Sequence, residues 1–435
     1  MKMRKSFFLF FQCLLFCQNW TPFHNHELNK FNNFEIEYQI ADDRAREVIN
    51  FNPDRNYLTH EVIGYLPYWE YDQYPSLNYD LLTQINFFSA ELDQYGDIVN
   101  DHNWENLYLV EFAQARGVKV KLCATLFGQE SLGILLNNYF YRQNAINNLL
   151  NLVMSVGADG VDIDFELLPT NQRDNLVLFM EELSFVFHLN MDDPIITMAT
   201  PAIDWSNAWD YNALAEITDG LFIMGYNYFY SGSSTAGPVS PLGGYYYDIE
   251  YSVNDYIAKT NGQLDKLILG LPYYGYDWPV SSSIMNSATI GYGSARTYSE
   301  ASLMSNQYGY NWDMPSNSFW IQYLSNSWQQ CWYDDSLSLS LKYQFAIENN
   351  IQGVGIWALG YDQGSDKLWG AINDQFNPIL VGDLNLDQEI NIQDVIIIIN
   401  EIVNLAPYNP SADFNSDYII NVLDVLGIIN MILND

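Results

Sequence analysis

The sequence predicts an α/β protein: a (β/α)8 TIM barrel with a small inserted subdomain between strands seven and eight, followed by a small all-α domain. Eight short apolar runs alternate with amphipathic stretches between residues 61 and 360, as parallel strands and their helices do. After Phe376 the composition changes, and residues 383–404 recur as a similar segment at 413–434. A chain of 435 residues is long enough for one large domain and one smaller one.

Each element of the barrel has its own run, and helix-like stretches such as 143–156 and 171–188 lie between them. The longest gap, before the last run, contains SFWIQYLSNSWQQCWY, which predicts a hairpin around 324–327 and then a helix over 336–349. We therefore assign the barrel to residues 59–376 and the inserted subdomain to this gap. The runs are VIGYLPYW (62–69), QINFFSAEL (84–92), VKVKLCATLFG (118–128), GVDIDFE (160–166), IITMATPA (195–202), GLFIMGYNY (220–228), LILGLPYYGY (267–276) and GVGIWALG (353–360).

The N-terminus has the pattern of a secretory signal peptide. Three basic residues lie among the first five, and residues 7–17 form an apolar stretch too short to span a bilayer. We predict a signal peptide at 1–20 and a secreted, extracellular protein; the alternative is a buried N-terminal strand. Residues 21–58 are polar and rich in Asn without clear periodicity, so we assign them to a linker.

The composition narrows the class of partner. The chain has 17 basic and 53 acidic residues, a net charge of −36, which disfavours nucleic acid and anionic membranes. Aromatic residues make up 16% of the chain, and any that are exposed suit the apolar faces of sugar rings. Two of the four cysteines would leave with the signal peptide. The spacing of Cys123 and Cys331 indicates neither a disulfide nor its absence.

The fourth run, GVDIDFE, contains the candidate catalytic residues. In an extended strand, Asp162, Asp164 and Glu166 share one face, and the alternating apolar residues share the other. Crowding raises the proton affinity of at least one carboxyl, as a general acid near neutral pH requires. Glu166 stands at the end of the run, where TIM barrels hold their active sites. The alternatives are carboxylates used only for hydrogen bonding, or a Mg²⁺ or Ca²⁺ site.

The motif DGVDIDFE, with Asp159 as its first acidic residue, resembles the D-x-x-D-x-D-x-E signature of glycoside hydrolase family 18, the chitinase-type TIM barrels. MGYN (224–227), WYDD (332–335) and GIWALG (355–360) also match features of that family, and the resemblance covers roughly residues 60–375. It implies retaining hydrolysis of β-1,4-linked N-acetylglucosamine polymers such as chitin, in which the substrate's own 2-acetamido oxygen attacks C1. It implies no cofactor for catalysis.

The resemblance also implies roles for individual residues. Glu166 would protonate the glycosidic oxygen and then activate water, while Asp164 would orient the acetamido group and Asp162 would share a proton with it. Tyr226 would hold the acetamido oxygen. The expected substrate-binding residues are Tyr65, near Asp162, Trp357, the floor beneath the sugar, and Trp69 and Asn227.

Three departures from the family pattern leave the substrate open. Asn227 replaces a common Asp, and Phe165 and Leu167 replace a common Trp and Tyr. LCATLFG stands on the third strand where many members have Ser-x-Gly-Gly, so the polar support of Asp162 is unassigned. The Phe-type signature and the short insert also resemble members directed at spore cortex and peptidoglycan. The rivals are therefore the same chemistry on peptidoglycan or N-glycans, and an inactive sugar-binding lectin, which the presence of Glu166 disfavours.

The C-terminal repeat predicts two calcium loops. Each opens D-x-N-x-D and has Asp at position twelve, as in EF-hand-like loops, although Gln388 and Tyr418 replace the usual Gly at position six. With one Ile-rich helix after each loop, residues 380–435 resemble a type I dockerin, which implies two Ca²⁺ ions and a cohesin-bearing partner. The expected ligands are Asp383, Asn385, Asp387, the Glu389 carbonyl and Asp394, and Asp413, Asn415, Asp417, the Ile419 carbonyl and Asp424.

Overall fold

A computed structural model describes residues 23–36, 58–377, 381–385, 389–406, 408–415 and 417–434. The predicted signal peptide at 1–20 lies outside these residues. No helix in this part of the chain is both long and apolar enough to cross a membrane. The strands are β1 Glu61–Pro67, β2 Gln84–Leu92, β3 Ile98–Asn100, β4 Lys119–Phe127, β5 Gly160–Glu166, β6 Ile195–Pro201, β7 Gly220–Met224, β8 Leu267–Pro272, β9 Tyr274–Val280, β10 Ser294–Thr297, β11 Asn311–Asp313, β12 Ser318–Leu324, β13 Trp328–Tyr333 and β14 Gly353–Trp357.

Helices follow most of the strands. They are α1 Phe23–Phe31, α2 Leu109–Gln114, α3 Gln129–Asn137, α4 Tyr139–Val156, α5 Arg173–Asn190, α6 Tyr211–Ile217, α7 Ile249–Lys259, α8 Tyr298–Tyr308, α9 Ser336–Glu348, α10 Asp366–Phe376, α11 Ile392–Asn404 and α12 Val422–Asn434. Local sequence explains their ends. The Asn138 side chain caps α4 by accepting from the Phe140 N–H, and the helix ends at Gly157, whose φ of 68° suits glycine.

Eight parallel strands close into the predicted barrel. Their order is β1-β14-β8-β7-β6-β5-β4-β2, and β1 also pairs with β2, which completes the ring. These strands coincide with the eight apolar runs. The strand predicted over 220–228 ends earlier, at Met224, and the run 267–276 divides into β8 and β9. The (β/α)8 prediction is confirmed.

The insert lies where the sequence predicts it, between the last two barrel strands. It is an antiparallel sheet of order β10-β9-β13-β12-β11 with helix α8 beside it. The predicted hairpin is formed by β12 and β13, and the predicted helix over 336–349 is α9. Cys331 on β13 and Cys123 on β4 are both buried and unpaired, so these two residues form no disulfide.

The segments before and after the barrel contain helices. The segment 21–58 is not only linker, because helix α1 forms within it and packs against the barrel; residues 37–57 lie outside the described part. At the other end, α11 and α12 pack on each other around a small core that is separate from that of the barrel. This core consists of Val395, Ile398, Ala412, Val425 and Ile428.

Candidate active site

Strand β5 presents its acidic face to the barrel interior. All seven of its residues are buried, and Glu166 is the last of them, at the carboxyl end of the strand. On the opposite face Phe165 contacts the ring of Phe179 on α5 (5.4 Å between centroids), as the alternation predicts. Asp159 lies before the strand and binds the Lys119 ammonium group (2.9 Å), so it does not belong to the carboxylate cluster.

Asp162 is held by donors from two other strands. The Tyr65 hydroxyl on β1 donates to its Oδ2 (2.7 Å), as expected, and the Thr197 hydroxyl on β6 donates to its Oδ1 (2.6 Å). Thr197 in turn accepts from the buried Lys121 ammonium group (2.7 Å). Thr197 lies opposite Asp162 in the register of the parallel pair β5–β6. These residues supply the polar support that the third strand's sequence left unassigned.

Burial is the largest influence on the pKa values of Asp162 and Lys121. Burial raises the pKa of Asp162, while Lys121 and the two hydroxyl donors oppose the rise. Burial lowers the pKa of Lys121 to about 8, against the attraction of Asp162. Lys121 and Asp162 are linked through the Thr197 hydroxyl, which accepts from the amine and donates to the carboxylate. Neither Thr197 nor Lys121 carried a recognisable sequence motif.

Glu166 has the properties of a general acid. It is 7% exposed, and burial raises its pKa to about 8; the charge of His24 lowers the pKa and that of Asp164 raises it. Its Oε1 and the Oδ1 of the buried Asp164 have no hydrogen-bond partner among the described residues. The Asp164 atom is an unused acceptor beside the proposed acid, whereas Glu166 Oε1 lies 3.3 Å from His24 Nδ1.

Helix α1 contributes a residue to this site that the sequence analysis missed. His24 is buried, and its Nδ1–H donates to Asp164 Oδ2 (2.7 Å) and lies 3.3 Å from Glu166 Oε1. Its Nε2 lies 3.2 Å from the Tyr226 hydroxyl. The segment shows one helical face, with His24, Glu27, Leu28 and Phe31 at positions i, i+3, i+4 and i+7. That spacing was the available indication of an ordered element.

Burial lowers the pKa of His24, but the nearby carboxylates of Asp164 and Glu166 raise it by more, so its pKa lies above the ordinary value. The imidazole is thus favoured in its charged form between two acids. The ligand atoms of these three residues all lie within 4.8 Å of one another, so the group has the residue types of a metal site. The 2.7 Å contact itself is that of a direct charge-assisted hydrogen bond.

The expected aromatic residues line the same end of the barrel. Trp357, the last residue of β14, is buried and stacks on the His24 ring (3.8 Å between centroids, 25° between planes). Trp69 donates from Nε1 to the Tyr361 hydroxyl (3.2 Å) and stacks on Phe31 of α1 (4.5 Å). Both rings therefore form flat apolar platforms beneath α1.

Tyr226 and Asn227 follow β7. Tyr226 is buried beside the carboxylates. Asn227 has a left-handed backbone (φ 61°) and its side-chain oxygen accepts from the Tyr274 hydroxyl (2.6 Å). A cleft opens beside Glu166 and these two residues, and its outer wall is aromatic. That wall includes Trp205, Tyr228, Tyr230 and Tyr247.

Comparison with known proteins agrees with this geometry. Residues 61–362, more than half of the chain, match the family model described as glycosyl hydrolases family 18. The chain belongs to that family. It is therefore a glycosidase.

Relatives of this glycosidase include bacterial and animal proteins. A Bacillus subtilis protein whose name describes a sporulation-specific glycosylase is 29% identical over 333 residues, covering 72% of this chain and 71% of the relative. The cortical fragment-lytic enzyme of the same organism is 28% identical over 262 residues, or 58% of each chain. Human di-N-acetylchitobiase is 25% identical over 277 residues, 57% of this chain and 69% of the relative.

Solved structures share the fold. The Group IV chitinase of Ostrinia furnacalis, in complex with allosamidin, superposes with a TM-score of 0.66 at 18% identity, covering 72% of this glycosidase and 98% of that chain. The chitinase of Cycas revoluta with (GlcNAc)3 gives the same TM-score at 19% identity, covering 72% and 99%. At identities of 18% and 19% the likeness to these structures shows the fold alone.

The predicted calcium ligands that are described lie in two loops and in the first turns of the helices that follow them, with Asp394 in α11 and Asp424 in α12. Asp387 and Gln388 lie outside the described residues. Asp394 and Asp424 are buried at equivalent places, and each accepts backbone N–H groups of its own loop, from Asn391 (2.9 Å) and Asn421 (2.8 Å) respectively. The Asn421 side chain donates to the Ile419 carbonyl (3.0 Å), one of the predicted ligand oxygens.

In the second loop, Asp413 accepts from the N–H groups of Asp417 (3.0 Å) and Tyr418 (2.7 Å). Tyr418 takes a left-handed conformation (φ 65°) at position six, where such loops usually have glycine. The carboxylates of Asp413, Asp417 and Asp424 do not all lie within 4.8 Å of one another. The predicted ligand atoms of this loop are all oxygens, which Ca²⁺ prefers. A bound ion would have to draw the carboxylates together.

Proposed function

We propose that this protein is a secreted glycosidase that cleaves β-1,4-linked N-acetylglucosamine polymers, with chitin as the first candidate, by substrate-assisted retaining catalysis. The observation that carries the proposal is Glu166: a buried carboxyl with a pKa raised to about 8, at the carboxyl end of β5, within a cluster of two further carboxylates. Such a group is protonated at neutral pH and can give a proton to a glycosidic oxygen.

The remaining residues supply what this mechanism needs besides an acid. In the proposed reaction the 2-acetamido oxygen of the sugar attacks C1 as Glu166 protonates the leaving oxygen. Asp164 accepts the acetamido N–H and stabilises the positive charge of the cyclic intermediate. Tyr226 donates to the acetamido oxygen. Glu166, then ionised, takes a proton from the water that opens the intermediate.

The contacts of His24 support this assignment of roles. A flat polar ring stacks on Trp357, donates one N–H to Asp164 and places its second nitrogen beside Tyr226. An acetamido group is also flat, and its N–H can donate to Asp164 as the His24 Nδ1–H does. The contact of His24 with Asp164 thus supports Asp164 as the acceptor of an acetamido N–H.

Peptidoglycan is the second candidate substrate. The two Bacillus subtilis relatives carry names that refer to sporulation and to cortical fragments. Peptidoglycan also contains N-acetylated sugars in β-1,4 linkage, so the same residues would act. Product analysis by mass spectrometry on chitin oligomers, peptidoglycan and N-glycoprotein separates these substrates.

The assignment of Glu166 is tested by Glu166→Gln. The amide keeps the size of the side chain but has no acidic proton, so we expect kcat to fall by about 10²–10⁴-fold while oligosaccharide binding persists. Glu181→Gln, at an exposed position on α5, is the matched control and should retain full activity. Wild-type turnover in the Glu166→Gln protein would contradict the proposed role.

The acetamido mechanism has its own test. Because the attacking oxygen belongs to the substrate, cellulose oligomers should not be cleaved, and a thiazoline analogue of the cyclic intermediate should inhibit. Efficient hydrolysis of cellulose oligomers would indicate instead a protein carboxylate as nucleophile.

For the C-terminal domain we propose two calcium ions and a docking function toward a cohesin-bearing protein. The residues that would hold the ions are Asp383, Asn385, Asp387, Glu389 and Asp394 in one loop and Asp413, Asn415, Asp417, Ile419 and Asp424 in the other. The left-handed Tyr418 and the equivalent burial of Asp394 and Asp424 support this proposal. A pull-down with immobilised cohesin domains, with and without EGTA, tests the partner.

A further inference from the structure

Helix α1 lies along the catalytic end of the barrel and contacts it at three successive places. His24 stacks on Trp357, the Tyr361 hydroxyl donates to Glu27, and Phe31 stacks on Trp69. His24 and Glu27 are 1% and 2% exposed, although both are polar residues of a nine-residue helix. An isolated helix of this length is not stable in water, so these contacts account for its order.

The partners of α1 are the residues assigned above to sugar binding. Trp357 and Trp69 are the two aromatic platforms, and Asp164 and Tyr226 are the groups expected to hold the acetamido group. His24 contacts three of these four residues, and Phe31 covers the fourth. A sugar and α1 therefore cannot occupy this part of the cleft together.

We propose that α1 is an intramolecular inhibitor that occupies the sugar-binding cleft and must be displaced by substrate. The inference rests on the proposed function for the identity of the competing sugar. None of the described residues that line the aromatic cleft beside Glu166 belongs to α1. A polymer can therefore contact Trp205 and Tyr247 first and then replace α1 over Trp357.

Competition within one chain has a distinct kinetic effect. If only a fraction of the molecules has a free cleft, the apparent substrate affinity falls by that fraction, while saturating substrate still displaces α1. Weakening α1 should therefore lower KM and leave kcat unchanged. If His24 were instead a catalytic residue, its loss would lower kcat.

The kinetic test compares the full-length chain with the triple variant His24→Ala/Glu27→Gln/Phe31→Ala. We expect KM for a chitin oligomer to fall by about tenfold or more in the variant, because one charge-assisted hydrogen bond alone contributes that much to docking. Asn32→Ala, an exposed position directly after α1, is the control and should not change KM. An unchanged KM in the triple variant, or a fall in kcat, would overturn the proposal.

Hydrogen exchange tests the docking without any need for turnover. Backbone amides of residues 26–31, which lie beyond the unbonded first turn of α1, should exchange slowly in the wild-type chain and rapidly in the triple variant. In a Glu166→Gln chain, saturation with a chitin oligomer should make the same amides exchange rapidly. Fast exchange in the wild type, or oligomer binding that leaves α1 protected, would refute the inhibitor.

The proposed substrate and the proposed inhibition by α1 can be disproved separately. If no N-acetylglucosamine polymer binds to either chain, the proposed substrate is wrong, and the exchange of α1 still decides whether it occupies the cleft. N-terminal sequencing of the secreted protein adds an independent check. Cleavage at the predicted boundary near residue 20 retains α1, whereas a mature chain that begins after His24 would rule out inhibition by this helix.

Discussion

Among single residues, Asp162 shows how strands distant in sequence position a carboxylate of the active site. Its two oxygens accept from hydroxyls on β1 and β6, so its position depends on strands far from it in sequence. Thr197 acts on the reaction only through Asp162 and is a positioning residue. Loss of its hydroxyl leaves Asp162 Oδ1 without its donor and the Lys121 ammonium group without its acceptor. Each unsatisfied buried group costs about 1–3 kcal/mol.

We expect Thr197→Val, which keeps the shape of the side chain, to lower kcat by about tenfold with little change in KM. Thr197→Ser should restore most of the activity because it returns the hydroxyl. The matched control is Thr200→Val on the same strand, where the hydroxyl donates to the Phe222 carbonyl and not to a carboxylate. Equal loss of kcat in both Val variants would contradict the specific role of Thr197.

The pH dependence of the reaction follows from Glu166. A general acid must be protonated, and a group with a pKa of about 8 loses its proton as pH rises through that value. We expect kcat/KM to decline above pH 8. Since the charge of His24 lowers the pKa of Glu166, His24→Ala should move this decline to higher pH. Stopped assays across pH 5–10 on both proteins measure this decline. A decline near pH 4–5, where an ordinary carboxyl titrates, would refute the assignment.

Among the secondary-structure elements, β5 contributes both to the active site and to the barrel core, because its side chains alternate between two faces. One face holds the carboxylates, and the other packs on α5 through Phe165 and Phe179. The acidic face is tolerated because Asp162 accepts from two hydroxyl groups and Asp164 accepts from His24. The contact between Phe165 and Phe179 therefore stabilises the barrel and affects catalysis only by holding β5 in place.

Phe165→Ala should destabilise the barrel by about 3–5 kcal/mol, because it removes a fully buried ring and leaves a cavity. Chemical denaturation monitored by tryptophan fluorescence measures the change. Phe185→Ala on α5 is the control; that ring is 69% exposed, and its removal should change the free energy of unfolding little. A comparable loss in both variants would argue against the packing role of Phe165.

On the scale of the whole molecule, two cores are separate. The barrel core includes α1 and the insert, whereas the core between α11 and α12 contains only a few aliphatic side chains. A domain this small has little apolar area to bury, and its loops carry clustered carboxylates that repel one another without a cation. Metal binding should therefore contribute much of its stability.

We expect the full-length chain to bind two calcium ions by calorimetry, one in each loop, and to unfold in two transitions. EGTA should lower only the transition of the C-terminal domain and reduce its helix content, with hydrolysis by the barrel unchanged. Asp413→Ala should remove one of the two sites, and Asp374→Ala, at an exposed position on α10, should remove none. Full helicity without calcium, or fewer than two sites in the wild type, would refute the dockerin-like assignment.

The barrel, its insert and the acidic strand can all be predicted from the amino-acid sequence. These features repeat over short distances: alternation on a strand, helical periodicity after it, and a run of eight such units. Glu166 could be identified because its neighbours form a specific local motif. The paired repeat at 383–404 and 413–434 was visible for the same reason.

The groups that surround these carboxylates become apparent only in the folded barrel. Thr197 reaches Asp162 through the register of β5 and β6, and Lys121 reaches Thr197 across the same interior. His24 contacts Asp164 over 140 positions and Tyr226 over 202. No local periodicity encodes such contacts, because they form when the ring of strands closes and α1 finds a complementary cleft. Helix α1, within the segment that the sequence suggested as linker, thus lies in the cleft beside the carboxylates.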